Sequence, residues 1–206
     1  STSWGRLRLN FFGYGSLDCP SAGLVAAGVG ELHPLALMPR PTLLAGDMGG
    51  SKTLLALYDL EGETLIKRHQ QRFVSADWSS LERMLQAFVE GRPKDIQAPT
   101  HGCIAVAGPV RNRQARITNL PWQLKEEDLA AAAGMQQLEL VNDFGVLIYG
   151  LPHFGADQQV VLQEGSQDDG PLAILGAGTG LGMARGVRTN NRLLALSSEG
   201  GHREFA

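Results

Sequence analysis

Cysteine is scarce in this chain, and that scarcity removes two classes of protein at once. Cys19 and Cys103 have neither the spacing of a metal site nor that of a disulfide framework. Cys103 lies in the apolar run Cys103-Ile104-Ala105-Val106-Ala107 and reads as a small buried residue. The five histidines form no His-Glu-x-x-His cluster, and no Gly-x-Ser-x-Gly nucleophile turn is present. No apolar stretch reaches the length of a membrane span, so no membrane partner is expected. A net positive charge is also lacking. The net charge of −3 argues against a nucleic acid partner, because phosphate-backbone affinity needs clustered Lys and Arg. Arg111, Arg113 and Arg116 do cluster, but in an expected turn, where they read as a solvated face. The remaining 43% hydrophobic and 19% charged residues suit a soluble globular protein of one good domain or two small ones.

Residues 1–40 read differently from the rest, as a non-native or disordered leader. They are rich in Gly, Leu and Ala, show little periodicity and begin with Ser. Arg6 and Arg8 precede apolar residues, as in a signal peptide, but Asn10, Gly13, Gly15, Asp18 and Pro20 interrupt any apolar core. Met38 is the expected natural start.

What is present is glycine, placed in two loops. Thr42-Leu43-Leu44-Ala45 runs into Gly46-Asp47-Met48-Gly49-Gly50-Ser51-Lys52-Thr53. Backbone N–H groups freed by glycine can wrap phosphate oxygens, and a carboxylate can hold Mg²⁺, usually through water. The stretch misses the P-loop pattern, because Ser51 stands where the second glycine belongs. Leu54 to Leu60 then runs to a turn at Glu61-Gly62-Glu63, too short for an ordinary helix. The spacing therefore predicts a hairpin with a phosphate-binding tip; an ordinary hairpin turn with solvated Asp47 and Lys52 is the plainer alternative. Gly176-Ala177-Gly178-Thr179-Gly180-Leu181-Gly182 follows another apolar run and also fits a hairpin, not a dinucleotide fingerprint.

Between the loops, Glu63 to Phe73 reads as a strand, and Ser79-Ser80-Leu81-Glu82 opens a helix striped with Leu81, Met84, Leu85 and Phe88. Strands are expected over 102–107, 114–118 and 138–141, and a helix over 126–133 ended by Gly134. This order means an α/β fold with mixed strand pairing. Gly150-Leu151-Pro152 is the expected domain boundary, giving a small domain at 41–150 and the start of a larger one at 151–206.

Three polar constellations remain. Asn142-Asp143 follows a strand, where ligand sites of open α/β sheets lie. Asp143 there suits a general base for a substrate hydroxyl, or equally a helix cap. Asn119, in Thr118-Asn119-Leu120-Pro121-Trp122, suits a sugar-hydroxyl contact or a turn. Glu199 and His202 flank Gly200-Gly201 and suit vicinal hydroxyls or a plain glycine turn.

Together these segments resemble one family. Gly-Asp-x-Gly-Gly-Ser-Lys, Ala-Gly-Pro-Val, Thr-Asn-x-x-Trp, Asn-Asp-Phe, Gly-Ala-Gly-Thr-Gly-Leu-Gly and Glu-Gly-Gly-His-x-x-Phe-Ala occur in this order in bacterial glucokinases, and stand here from Gly46 to Ala206. The resemblance implies the hexokinase–actin-like ATPase superfamily, with its ribonuclease H-like fold. It also implies ATP and Mg²⁺ as cofactors, glucose or a related hexose as partner, a cytoplasmic location and a homodimer for the complete protein. It makes Asp143 the general base and Asn119, Asn142, Glu199 and His202 glucose ligands. Asp47, Gly49, Gly50, Ser51 and Lys52 become the first phosphate loop, with Asp47 near Mg²⁺, and Gly178, Thr179 and Gly180 the second. In the family, a further sugar-binding glutamate and the adenosine pocket follow the last motif, so this chain by itself is expected to be inactive or nearly so. The rivals are a kinase for another hexose and a non-catalytic sugar sensor on the same scaffold.

Overall fold

The computed structural model describes residues 41–62, 64–117, 120–154, 156–165, 170–177, 181–189, 192–198 and 200. The expected leader lies outside them. Strands β1 (Thr42–Met48) and β2 (Lys52–Glu61) form the first hairpin, and β3 (Thr64–Val74) continues it. Helix α1 (Leu81–Glu90) leads to β4 (His101–Val106), followed by three short strands, β5 (Val110–Arg111), β6 (Gln114–Arg116) and β7 (Gln123–Lys125). Then come α2 (Glu126–Ala132), β8 (Gln137–Asn142) and α3 (Asp143–Gly150). The last strands are β9 (Leu172–Ala177), β10 (Leu181–Thr189) and β11 (Arg192–Ser198).

The main sheet has the order β3-β2-β1-β4-β8. Its first three strands pair antiparallel, whereas β1, β4 and β8 run parallel. Two helices cross between those parallel strands because parallel partners need a long connection. In register, Leu57, Leu44, Gly102 and Leu138 form one row across the sheet, and Leu55, Gly46, Ile104 and Leu140 the next. These rows face the core, where Leu81, Met84, Leu85 and Phe88 of α1 and Leu129 of α2 are buried with them. Gly46 serves this packing: a Cβ there would stand 2.9 Å from Ile104 Cγ1.

The helix ends follow sequence signals. Ser80 caps α1 by accepting the Arg83 N–H. Gly134, at φ +65°, ends α2 in a Schellman turn: Met135 N–H donates to Ala130 O at 2.9 Å and Gly134 N–H to Ala131 O at 3.2 Å. Asn112 and Arg113, at φ 50° and 61°, make the two-residue turn between β5 and β6.

Strands β9–β11 form a separate antiparallel sheet. Helix α3 packs on it, although α3 precedes the Gly150–Pro152 segment and the sheet follows it. The alternating glycines explain how. Gly176 and Gly182 are cross-strand partners, and the Phe144 ring lies against both. A Cβ on Gly176 would come within 2.8 Å of that ring, and one on Gly182 would overlap it. Ile148, one turn on, leaves no room for a Cβ at Gly186. Ala195 N–H donates to the Tyr149 hydroxyl at 3.2 Å.

Candidate functional site

The carboxyl ends of β1, β4 and β8 are level: Met48, Val106 and Asn142 are register partners. The glycine loop after β1, the Gly108-Pro109 turn after β4 and the Asn142-Asp143 pair after β8 therefore share one edge of the sheet. Ligand sites of open α/β sheets lie at such an edge.

The hairpin reading of the first loop holds, since Leu54–Leu60 lie in β2 and not in a helix. Asp47 sits in β1, exposed and one residue from its end, on the face opposite Met48. Gly49 N–H donates to Lys52 O at 2.9 Å, which tightens the tip. Ser51 and Lys52 are exposed. Ser75 N–H donates to Ser51 O at 3.0 Å, and the Ser75 and Thr53 hydroxyls pair at 3.0 Å where both residues are fully buried. The loop is thus fixed from behind by a buried polar pair. Ser75→Ala leaves the Thr53 hydroxyl unpartnered and is expected to cost about 1–3 kcal/mol in urea unfolding. Adding Thr53→Val to it is expected to recover most of that loss.

At the second position, Asn142 is the cap of α3. Its Oδ1 accepts the N–H groups of Phe144 at 3.1 Å and Gly145 at 2.9 Å. Its Nδ2 donates to Gly108 O at 3.1 Å and to Asp143 Oδ1 at 3.0 Å. The capping alternative weighed for the pair therefore falls to Asn142, and Asp143 is left as the first helical residue, half-buried. Asp143 Oδ1 also accepts Phe144 N–H at 2.9 Å. Because the amide of Asn142 is already engaged, a sugar hydroxyl would have to share it.

Asn119, Glu199 and His202, together with Gly178, Thr179 and Gly180, lie outside the described residues. The strands leading to residues 178–180 are described, and Phe144 ties them to the helix that begins at Asp143.

On the face opposite the core, Ala45, Cys103 and Glu139 share a row. Cys103 is only partly buried at the residue level, short of the buried position read from its apolar run. Its thiol nevertheless sits in a desolvated spot. Burial first, then the Glu139 and Glu126 charges, push its pKa up to about 12. Burial and the Glu126 charge likewise push the Glu139 carboxyl up, opposed by Arg113. A thiol near 9 when unfolded and about 12 when folded contributes stability that is full below pH 9 and lost as pH rises toward 12. At pH 8, native Cys103 is expected to react with iodoacetamide at least about tenfold more slowly than the urea-unfolded chain. Equal rates would contradict the burial.

Among the described residues, no three His, Cys, Asp or Glu side chains group as a metal cage. The single exposed carboxylate of Asp47 fits a hydrated Mg²⁺ carried in with phosphates, which keeps most of its waters.

A five-stranded mixed sheet with a glycine hairpin at its carboxyl edge, helix-linked to a second antiparallel sheet, defines a protein of the actin-like ATPase fold. The family model described as glucokinase matches residues 44–206, and the chain belongs to the glucokinase family. It is 39% identical over 168 residues to the glucokinase of Nostoc sp. (strain PCC 7120), covering 80% of this chain and 48% of that protein. The Erwinia tasmaniensis glucokinase is 34% identical over 166 residues, covering 79% and 50%. The chain spans about half the length of the curated relatives it matches. Among solved structures, a glucokinase from an Antarctic psychrotroph superposes with a TM-score of 0.70 at 34% identity, covering 80% of this chain and 52% of that one. A glucose complex of the Balamuthia mandrillaris glucokinase gives 0.59 at 19% identity, covering 84% and 51%, a likeness of fold.

Reasoning from sequence missed Glu126, which lies 6% exposed between α2, β8 and the arginine turn. It also missed Phe144 as the side chain that explains Gly176 and Gly182. Neither carries a local signal, since a glutamate at a helix start and an aromatic after Asn-Asp are ordinary residues.

Proposed function

We propose that the protein of which this chain forms the matched half phosphorylates the 6-hydroxyl of glucose from ATP. The observation that carries the reading is the level edge at Met48, Val106 and Asn142, where the glycine loop and Asp143 share one end of the sheet with β4 between them, in a chain of this family. In this reading Asp143 accepts the hydroxyl proton as the sugar oxygen attacks, and the proton ends on its carboxylate. The amides of Gly50 and Ser51, with Lys52, hold phosphate oxygens, since the Gly49 N–H is already spent on Lys52 O. Mg²⁺, held near Asp47, would neutralise phosphate charge when bound. Gly178, Thr179 and Gly180 supply the second phosphate grip, and Asn119, Asn142, Glu199 and His202 contact the sugar hydroxyls. Residues 41–150 act as the small domain and 151–206 as the opening of the large one.

The test is glucose-dependent ADP formation from Mg-ATP, comparing the full-length product of the gene, the extended protein, with the 206-residue chain. Turnover in the extended protein alone is the expected result. Turnover only with a different hexose would move the substrate. Glucose binding with no product from ATP would favour a sensor or another phosphoryl donor.

A further inference from the structure

Glu126 is a buried carboxylate that the proposed reaction does not use, and its two oxygens go to different elements. Oε1 accepts the Leu140 N–H at 3.0 Å. Oε2 accepts Arg113 Nε at 2.7 Å. Its own N–H donates to Arg113 O at 3.2 Å. Carboxylate and guanidinium differ sharply in exposure, at 7% and 71% of their side chains. A charge at such depth is costly unless it is paired and hydrogen-bonded, and here each oxygen accepts one bond, one of them from Arg113. Arg113 sits at φ 61°, the left-handed conformation that the two-residue turn between β5 and β6 requires of it.

Strand β8 is the edge of the main sheet, paired on one side by β4 alone. Its outward N–H groups would otherwise be open, and the one at Leu140 is taken by Glu126. Leu140 stands two residues before Asn142 and three before Asp143. We infer that Glu126 is a positioning residue: by clasping Leu140 N–H from the start of α2, held there by Arg113 of the turn, it fixes where β8 ends and hence where Asp143 stands. The inference rests on the reading of Asp143 as the base, but its first test does not.

That test is amide hydrogen exchange on the 206-residue chain and on Glu126→Ala and Glu126→Gln. In Glu126→Ala, exchange over 138–145 is expected to quicken at least about tenfold while 81–90 keeps the parent rate. Glu126→Gln, whose carbonyl can still take Leu140 N–H, is expected to stay near the parent. No change over 138–145, or equal quickening in both segments, would overturn the inference. Should Glu126→Ala fail to fold, Glu126→Asp replaces it; its shorter arm cannot span Leu140 and Arg113 together, and the same local quickening is expected. In the extended enzyme, Glu126→Ala is expected to lower kcat about tenfold or more with glucose Kd within about threefold, and Glu126→Gln to restore most of it. An active parent whose Glu126→Ala variant keeps its kcat would also overturn the inference. A parent without turnover counts against Asp143 as the base, and exchange then decides the role of Glu126 by itself.

Discussion

Asp143→Asn, placed in the extended protein, is expected to cut turnover by about 10²–10⁴-fold, the usual worth of a general base. Glucose affinity is expected to hold within about threefold, because the change touches proton transfer and not ground-state contacts. The geometry makes this substitution unusually clean. Oδ1 accepts both the Asn142 side-chain amide and the Phe144 N–H, and an asparagine oxygen accepts the same two bonds. Only the second carboxylate oxygen becomes an NH₂ group, which cannot take a proton from a hydroxyl. The start of α3 should therefore survive, with Asn142 still capping it. Thermal unfolding is the control: a midpoint within a few degrees of the parent assigns the loss to chemistry. Turnover within about tenfold of the parent would remove Asp143 from the role of base.

Much of the small sheet was legible because its signals are local. The hairpin reading of residues 46–60 needed only the short apolar run after Lys52 and the turn at Gly62, which adopts φ +61°. The stripe of α1 and the glycine stop of α2 were likewise written in spacing. Other features depend on partners far away in sequence. Gly46 was read with the phosphate loop, yet its lack of a side chain serves Ile104 and Leu55 on neighbouring strands. The capping and base alternatives at Asn142-Asp143 could not be separated, because the cap residue shows itself only through which side chain meets Phe144 and Gly145 N–H. The packing of α3 on β9–β11 was hidden for the same reason. A boundary drawn at Gly150–Pro152 by turn chemistry says nothing of the helix before it leaning on the sheet after it.

That packing yields the second large effect. Gly182→Ala is expected to destabilise the chain by about 1–3 kcal/mol, the usual cost of forcing extra volume into a filled contact. The added Cβ would overlap the Phe144 ring, and the ring has little retreat, since Gly176 faces it from the neighbouring strand. Strain on Phe144 passes directly to Asp143, its chain neighbour and hydrogen-bond partner. In the extended protein, turnover is therefore expected to fall about 10²-fold, the cost of moving a reacting group by about 1 Å. Phe144→Ala supplies the discriminating partner. If the ring transmits the strain, the double variant Phe144→Ala/Gly182→Ala should be more stable than the two single losses predict, by about 0.5–3 kcal/mol of coupling. Its turnover should stay low, because the ring that seats α3 on the glycine hairpin is gone. Additive losses within about 0.5 kcal/mol would show that Gly182 is required by its own backbone and not by Phe144. Recovered stability without recovered turnover would make the Phe144 seat the link through which the second glycine hairpin sets the position of Asp143.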